Sequence, residues 1–329
     1  MPKNLLFIVV LLSLVLFLGV GIILGMQNTA GLPAETYAVC AVSMDEVIVS
    51  GQGDVYNFEG ITDFSEPELD YLATYSVQDD AITDPVFRSV PADLQDEQKD
   101  SALQSEAWQI FTELIPAQDR SMVTQFNIFT DGYSNTLAAV DQSRQDNSHW
   151  ILEVDIADLE DKDAFIFTLV HEYAHLLTLN ASQVEPDAEI VNDPYDLDLQ
   201  KEKAAACPNY FPGNGCSYAD SYIHAFYSRF WLDVADEWQQ VDALQYGTDD
   251  FVPYYNALYD FYKTHQDQFV GDYAVTHPAE DIAESFTHFV FSPRPTGNSI
   301  KEQKIAFFYE YPELTRLRED ILNGACQLE

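Results

Sequence analysis

Three residues in the middle of the chain have the types and the spacing for hydrolytic chemistry. His171, Glu172 and His175 form the pattern HExxH within the apolar segment 163–180. On an α-helix, side chains four positions apart are separated by about 40° around the axis, so both imidazoles leave one face and can share a metal ion. Glu172 projects about 100° further round, beside that ion. The pattern predicts two zinc ligands and a carboxylate within reach of the metal-bound water.

The surroundings of this pattern make it more specific. Segment 163–180 is apolar almost all round, which predicts a core helix, and its buried histidines then need partners. A zinc site also needs a third protein ligand, and a carboxylate from another helix is suitable. A helix that starts near Pro278 offers Glu280 and Glu284, four positions apart on one face.

The two segments together resemble the gluzincin metallopeptidases. Tyr273, Glu280 and Glu284 form the spacing Tyr-x6-Glu-x3-Glu, which is similar to that of the lethal-factor-like peptidases, a group that includes the Pro-Pro endopeptidases. The resemblance implies that Glu280 is the third zinc ligand and that Glu284 supports a ligand histidine. It also implies that Tyr273 lies over the zinc and stabilises the transition state.

The resemblance is local, covering residues 163–180 and 273–290, with a weaker similarity of layout between 93 and 160 and none over 27–92. The 105 positions between His175 and Glu280 are a long separation for this clan. A preference for Pro-Pro bonds is not carried over, because it depends on cleft residues that the sequence does not place.

The expected function is hydrolysis of peptide bonds outside the cell, with one zinc ion and with Glu172 as general base and then acid. One alternative is an exported, non-catalytic binding or adhesion module that keeps a structural zinc site. The intact Glu172 weighs against it, because a structural site requires no base. Another alternative is zinc-dependent hydrolysis of a non-peptide bond, and a candidate edge strand favours peptides.

The charge balance restricts the partners. Fifteen Lys and Arg against 55 Asp and Glu give a net charge of −40. Such a surface repels nucleic acid and anionic lipid headgroups, so neither is expected as a ligand. Acidity can also indicate disorder, but 47% hydrophobic and 13% aromatic residues predict a folded globule.

An apolar run at residues 5–26 contains no charge, and as a helix it would extend about 33 Å, enough to cross a bilayer. Lys3 precedes the run and acidic residues dominate after it, which predicts a cytoplasmic N-terminus and an extracellular remainder. The length favours a retained single-span anchor, and the alternative is a cleaved signal that yields a secreted protein.

Four cysteines in an exported chain suggest two disulfides, for which three pairings exist. Cys207 and Cys216 flank a turn-rich segment, so a local bridge between them is the simplest expectation. That leaves Cys40 with Cys326. Metal binding is the alternative use, but the CxxC spacing that it usually needs is missing.

The predicted fold is α+β: a zincin-like metallopeptidase domain, mostly helical with a small mixed sheet, after one N-terminal transmembrane helix. The predicted divisions are an anchor at 1–26, a tether and small β-rich extension at 27–92, and a metallopeptidase domain at 93–329 with an insertion at 181–216. Strands are expected near 72–77 and at 122–129, 136–140 and 150–156, the last as a half-buried or edge strand. Besides the two helices of the candidate site, helices are expected at 93–115 with Asp93 as its cap, 218–246, 253–265 and 312–322.

Overall fold

The structure is a computed structural model that describes Phe58 and residues 60–62, 68–132, 136–248 and 250–328. Within these residues the protein has a five-stranded mixed sheet, a two-stranded sheet and ten α-helices. The strand order is β2-β1-β3-β5-β4, with β3 and β5 parallel and the other pairs antiparallel. The strands are β1 Asp70–Gln78, β2 Ala81–Phe87, β3 Val123–Thr130, β4 Ala138–Gln142 and β5 Trp150–Asp155. The α+β class with a small mixed sheet is therefore confirmed.

The strand β2 was not predicted. It is joined to β1 by Asp79 and Asp80, whose φ angles of 47° and 67° are both positive. A two-residue hairpin turn requires such angles, and Asp tolerates them better than most residues. Because β1 also pairs with β3, the sheet includes strands on both sides of the boundary predicted at residue 92.

The strand at 150–156 is not an edge strand, contrary to one expectation from its alternating pattern. Its alternation arises because one face joins the apolar core and the other carries Glu153, which is only 7% exposed. The Glu153 carboxylate accepts hydrogen bonds from Tyr71 and Asn127, so the polar position is buried in a network. β5 lies between β3 and β4, and the edge strand beside the HExxH helix is β4.

Two helices follow from clear sequence signals. The first, α1, spans Ser101–Leu114; its cap is Asp100 rather than the predicted Asp93, and the Asp100 carboxylate accepts from the Leu103 amide. The HExxH helix, α2, spans Lys162–Leu179 and is capped by Asp161. Both caps satisfy backbone amides that have no partner within the first helical turn.

The predicted insertion at 181–216 has its own secondary structure. It contains a two-stranded ladder of β6 (Val184–Pro186) and β7 (Gly215–Ser217), with two helices, α3 (Ala188–Asn192) and α4 (Leu197–Ala206), between the strands. The predicted Cys207–Cys216 disulfide is present. Cys326 is also disulfide-bonded, but Cys40 lies outside the described residues, so the pairing of these two stays a prediction.

The long helix predicted at 218–246 is wrong in its continuity. It consists of α5 (Tyr222–Phe230) and α6 (Ala235–Asp242), separated by a turn that begins at the buried Trp231. The remaining helices are α7 Val252–Thr264, α8 Pro278–Phe291, α9 Ile300–Phe307 and α10 Pro312–Ala325. Of these four, only α9 was not predicted.

Within the described residues, no helix combines the length and the apolar character needed to cross a membrane. The run at 5–26, which carries the predicted anchor, lies outside those residues.

Candidate metal centre

The HExxH helix brings its polar residues into the core. Nearly every side chain of α2 is buried, as the sequence predicts, and its first turn is fixed by Asp161, whose carboxylate accepts from the Ala164 amide at 3.1 Å. His171 is 5% exposed, while Glu172 and His175 are fully buried. These three residues offer donor atoms that all lie within 4.8 Å of one another, and they could hold a metal ion.

A second helix, α8, packs against α2 and supplies carboxylates. Pro278 stands at its first turn, where a missing amide hydrogen has no cost. His277 caps it: Nδ1 accepts from the Ala279 amide at 3.1 Å. All fourteen residues of α8 are buried, so Glu280 and Glu284 enter the core with it. Acidic residues in the first turn, Glu280 and Asp281, are favoured by the helix dipole.

Three donor atoms converge between the two helices. Nε2 of His175 lies 3.1 Å from Nε2 of His171. Oε2 of Glu280 lies 3.1 Å from the His171 nitrogen and 3.4 Å from the His175 nitrogen. The structure therefore brings together the three residues that the sequence and the resemblance predict as ligands.

The predicted supporting residues lie next to this group. Oε1 of Glu284 is 2.8 Å from Nδ1 of His171. When Nδ1 donates its hydrogen to Glu284, Nε2 of the neutral ring keeps its lone pair for a metal. Tyr273 begins a short 3-10 turn, and its ring centroid is 5.9 Å from that of His171.

The electrostatics of the group favour a cation. Burial lowers the pKa of His171, but its hydrogen bonds with Glu280 and Glu284 outweigh burial and raise the pKa well above its usual value. Burial lowers the pKa of His175, the neighbouring His171 adds to this effect, and the opposing effect of the Glu280 carboxylate is smaller. Burial would raise the pKa of Glu280, yet His175 and His171 hold it well below its usual range. The carboxylate side chains of α8 thus favour a positive charge at His171.

The distances fit a small divalent ion. Bonds of about 2.0–2.1 Å in a tetrahedral arrangement place ligand atoms roughly 3.3 Å apart. The three separations among His171, His175 and Glu280 are 3.1, 3.1 and 3.4 Å. Glu172 belongs to the same buried group, and the carboxylate of Glu280 also approaches both nitrogens directly.

Two further histidines belong to α8 or to its cap. His277 caps α8 beside Trp238, with ring centroids 5.7 Å apart, and burial lowers its pKa to about 4. His288 is 7% exposed and meets Phe167 edge-on. Sequence reasoning also missed Trp231, Asp281 and Lys304, which contact one another at the side of α8; no local motif marks them.

Comparison with known proteins identifies no relative: the chain matches no protein-family description, no curated protein and no solved structure.

The metal-free site should release a proton when it takes up a divalent ion. The raised pKa favours the protonated form of His171, whereas a metal binds only the neutral ring. Calorimetric titration with Zn²⁺ in buffers of different ionisation enthalpy should report about one proton released per ion at pH 7. The number should fall as the pH rises through the pKa of His171.

Glu284→Gln is the matched control for this titration. Removing one of the two carboxylates beside His171 lowers its pKa, so the variant should release fewer protons at pH 7 than the wild type. A binding enthalpy that is independent of the buffer in the wild type would contradict the expected protonation of His171.

Proposed function

We propose that the protein is a zinc-dependent peptidase with His171, His175 and Glu280 as zinc ligands. The observation that carries this proposal is the approach of one Glu280 oxygen to within 3.1 and 3.4 Å of both histidine nitrogens. Two imidazoles and one carboxylate form a ligand set used by catalytic zinc in peptidases, which leaves a position for water or substrate. The local resemblance to the gluzincins supports the same ligand set.

The proposed chemistry divides between the zinc ion and three side chains. Zinc, when bound, supplies a water of lowered pKa and polarises the scissile carbonyl. Glu172 takes the proton of the attacking water and delivers it to the leaving amine. Tyr273 donates a hydrogen bond to the oxyanion. Glu284 holds His171 in the tautomer that leaves Nε2 free to coordinate.

The edge strand β4 supports a peptide as the substrate. It contacts the HExxH helix, and among the described residues it pairs with β5 on one side only. An extended peptide could add to its open side through backbone hydrogen bonds, which is a common mode of peptide recognition. The sequence suggested strand 150–156 as the edge strand that could bind a peptide. In the structure the open edge belongs to β4 (Ala138–Gln142).

The proposed location is the outside of the cell, with a single-span anchor at residues 5–26 or with that segment removed. The Cys207–Cys216 disulfide supports an oxidising compartment. The net charge of −40 makes nucleic acid an unfavourable partner.

Glu280→Ala should lower the affinity for zinc by more than about 100-fold. Loss of a supporting carboxylate alone costs about 10- to 100-fold, and a direct ligand contributes more. Competition with a chromophoric chelator measures the affinity, and Glu284→Gln provides the graded comparison, with the smaller loss. An affinity for Glu280→Ala equal to the wild type would remove Glu280 from the ligand set.

Glu172→Gln should retain zinc and lose catalysis. The amide cannot accept the water's proton, so kcat/KM should fall about 10²- to 10⁴-fold. Cleavage of a quenched fluorescent peptide library, followed by the best single peptide, measures the effect. Asp163→Asn, on the same helix and nine positions away, should keep wild-type activity. A zinc-loaded wild type that cleaves no peptide would favour the non-catalytic alternative.

Tyr273→Phe should lower kcat about 10²- to 10³-fold with little effect on KM, since the hydroxyl is expected to act on the oxyanion rather than on the bound substrate. Zinc affinity should stay within twofold of the wild type. Tyr262→Phe, which removes a hydroxyl from α7, controls for general effects of this change. Full activity in Tyr273→Phe would restrict Tyr273 to packing against His171.

A further inference from the structure

A buried lysine lies beside the helix that carries Glu280. Lys304 is on α9, fully buried, and its Nζ is 2.6 Å from Oδ2 of Asp281, which is also fully buried. The same carboxylate oxygen accepts a hydrogen bond from Nε1 of Trp231 at 2.8 Å. One carboxylate of α8 therefore connects to α9 and to the turn that follows α5.

Aromatic rings surround the lysine. Its Nζ lies 3.8 Å from the ring centroid of Phe269 and 5.7 Å from that of Trp231. Phe226 of α5 is a third ring, at 5.9 Å. Attraction between a cation and aromatic faces is strongest where water is excluded. The aromatic surroundings therefore fix the lysine in one place, and the lysine fixes Asp281.

An ion pair in such a core is a poor source of stability. The cost of removing two charges from water commonly cancels their attraction, and apolar residues of similar volume are often as stable. Buried pairs of this kind are better explained where they specify one arrangement among several similar packings. The position of Asp281 indicates which arrangement is specified here.

Asp281 directly follows Glu280 on α8. Successive helical residues project about 100° apart, so Asp281 faces α9 while Glu280 faces the histidines of α2. Glu284, one turn further, shares the face of Glu280 and contacts His171. A rotation of α8 about its axis would move both glutamates. The contacts of Asp281 with Lys304 and Trp231 oppose that rotation next to Glu280.

We propose that Asp281, Lys304 and Trp231 form a positioning triad that sets the rotation of α8, and with it the distance between the Glu280 carboxylate and the two histidines. The triad touches neither the substrate nor the metal, and it acts through Glu280 and Glu284. The inference rests on the ligand set of the proposed function.

The test compares two neutralised ion pairs in the full chain. The double variant Asp281→Asn/Lys304→Met removes both charges and keeps similar volumes. Zinc affinity, measured by chelator competition, should fall about 10- to 100-fold, as for other groups that orient ligands. The visible absorption spectrum of the cobalt-substituted protein should also change, because it reports the geometry of the ligands.

The matched control is Asp80→Asn/Arg120→Met. Arg120 is 6% exposed and pairs with Asp80 at the β1–β2 hairpin, remote in sequence from α8. This variant should change the unfolding midpoint and leave zinc affinity and the cobalt spectrum as in the wild type. Trp231→Phe removes the indole N–H that donates to Asp281, and this variant should also shift the cobalt spectrum. It tests the positioning role if the first double variant does not fold.

Zinc affinity and a cobalt spectrum unchanged in the Asp281 and Lys304 variant, or equal losses in both double variants, would overturn the positioning role. Those outcomes leave the peptidase proposal intact. Conversely, if the wild type binds zinc but cleaves no peptide, the proposed peptidase activity is wrong. The positioning of Glu280 can then still be tested by the zinc affinity measured with the competing chelator.

Discussion

The structure depends on a cluster of ionisable groups held inside an apolar core. Two imidazoles from α2 and two carboxylates from α8 lie within hydrogen-bonding distance of one another. Each would be costly to bury alone, so they are stable there only in contact with one another or with a cation. This requirement links two helices that are distant in sequence, and it constrains the placement of α8 relative to α2.

Contacts at three positions along α8 hold the helix in place. His277 caps its first turn, and Asp281 binds Lys304 beside Glu280. At the other end Arg318 donates from Nε to the Phe289 carbonyl at 2.6 Å and from Nη2 to the Ser292 carbonyl at 3.2 Å. Only fifteen Lys and Arg occur in the chain. Among the described residues three of them are buried, and two of these three, Lys304 and Arg318, contact this helix. Lys304 and Arg318 are therefore not available to pair with the acidic residues of the surface. They lie in the interior, where they orient α8.

The sequence predicted which polar residues come together better than it predicted the order of the strands around them. The HExxH spacing and the interval between Glu280 and Glu284 are properties of one helix face, which the helical period determines without tertiary information. Whether a strand lies at the edge or in the interior of a sheet depends on which strands pair with it. The alternating pattern of 150–156 therefore could not show that β4 pairs with β5 and forms the edge of the sheet. Lys304 carries no local signal, because its role comes from Asp281 and three rings on other elements.

The number of ligands distinguishes a catalytic from a structural metal centre. A structural zinc site is normally closed by four protein ligands, whereas a catalytic one uses three. Here the donor atoms of His171, His175 and Glu280 lie within 3.4 Å of one another, and Glu172 lies beside this group, with its donor atom within 4.8 Å of those of the two histidines. The small remaining exposure is at His171, Glu280 and Glu284, while His175 and Glu172 are fully buried. If the site has the proposed function, a substrate would approach from the side of His171, which is also the side on which Tyr273 lies.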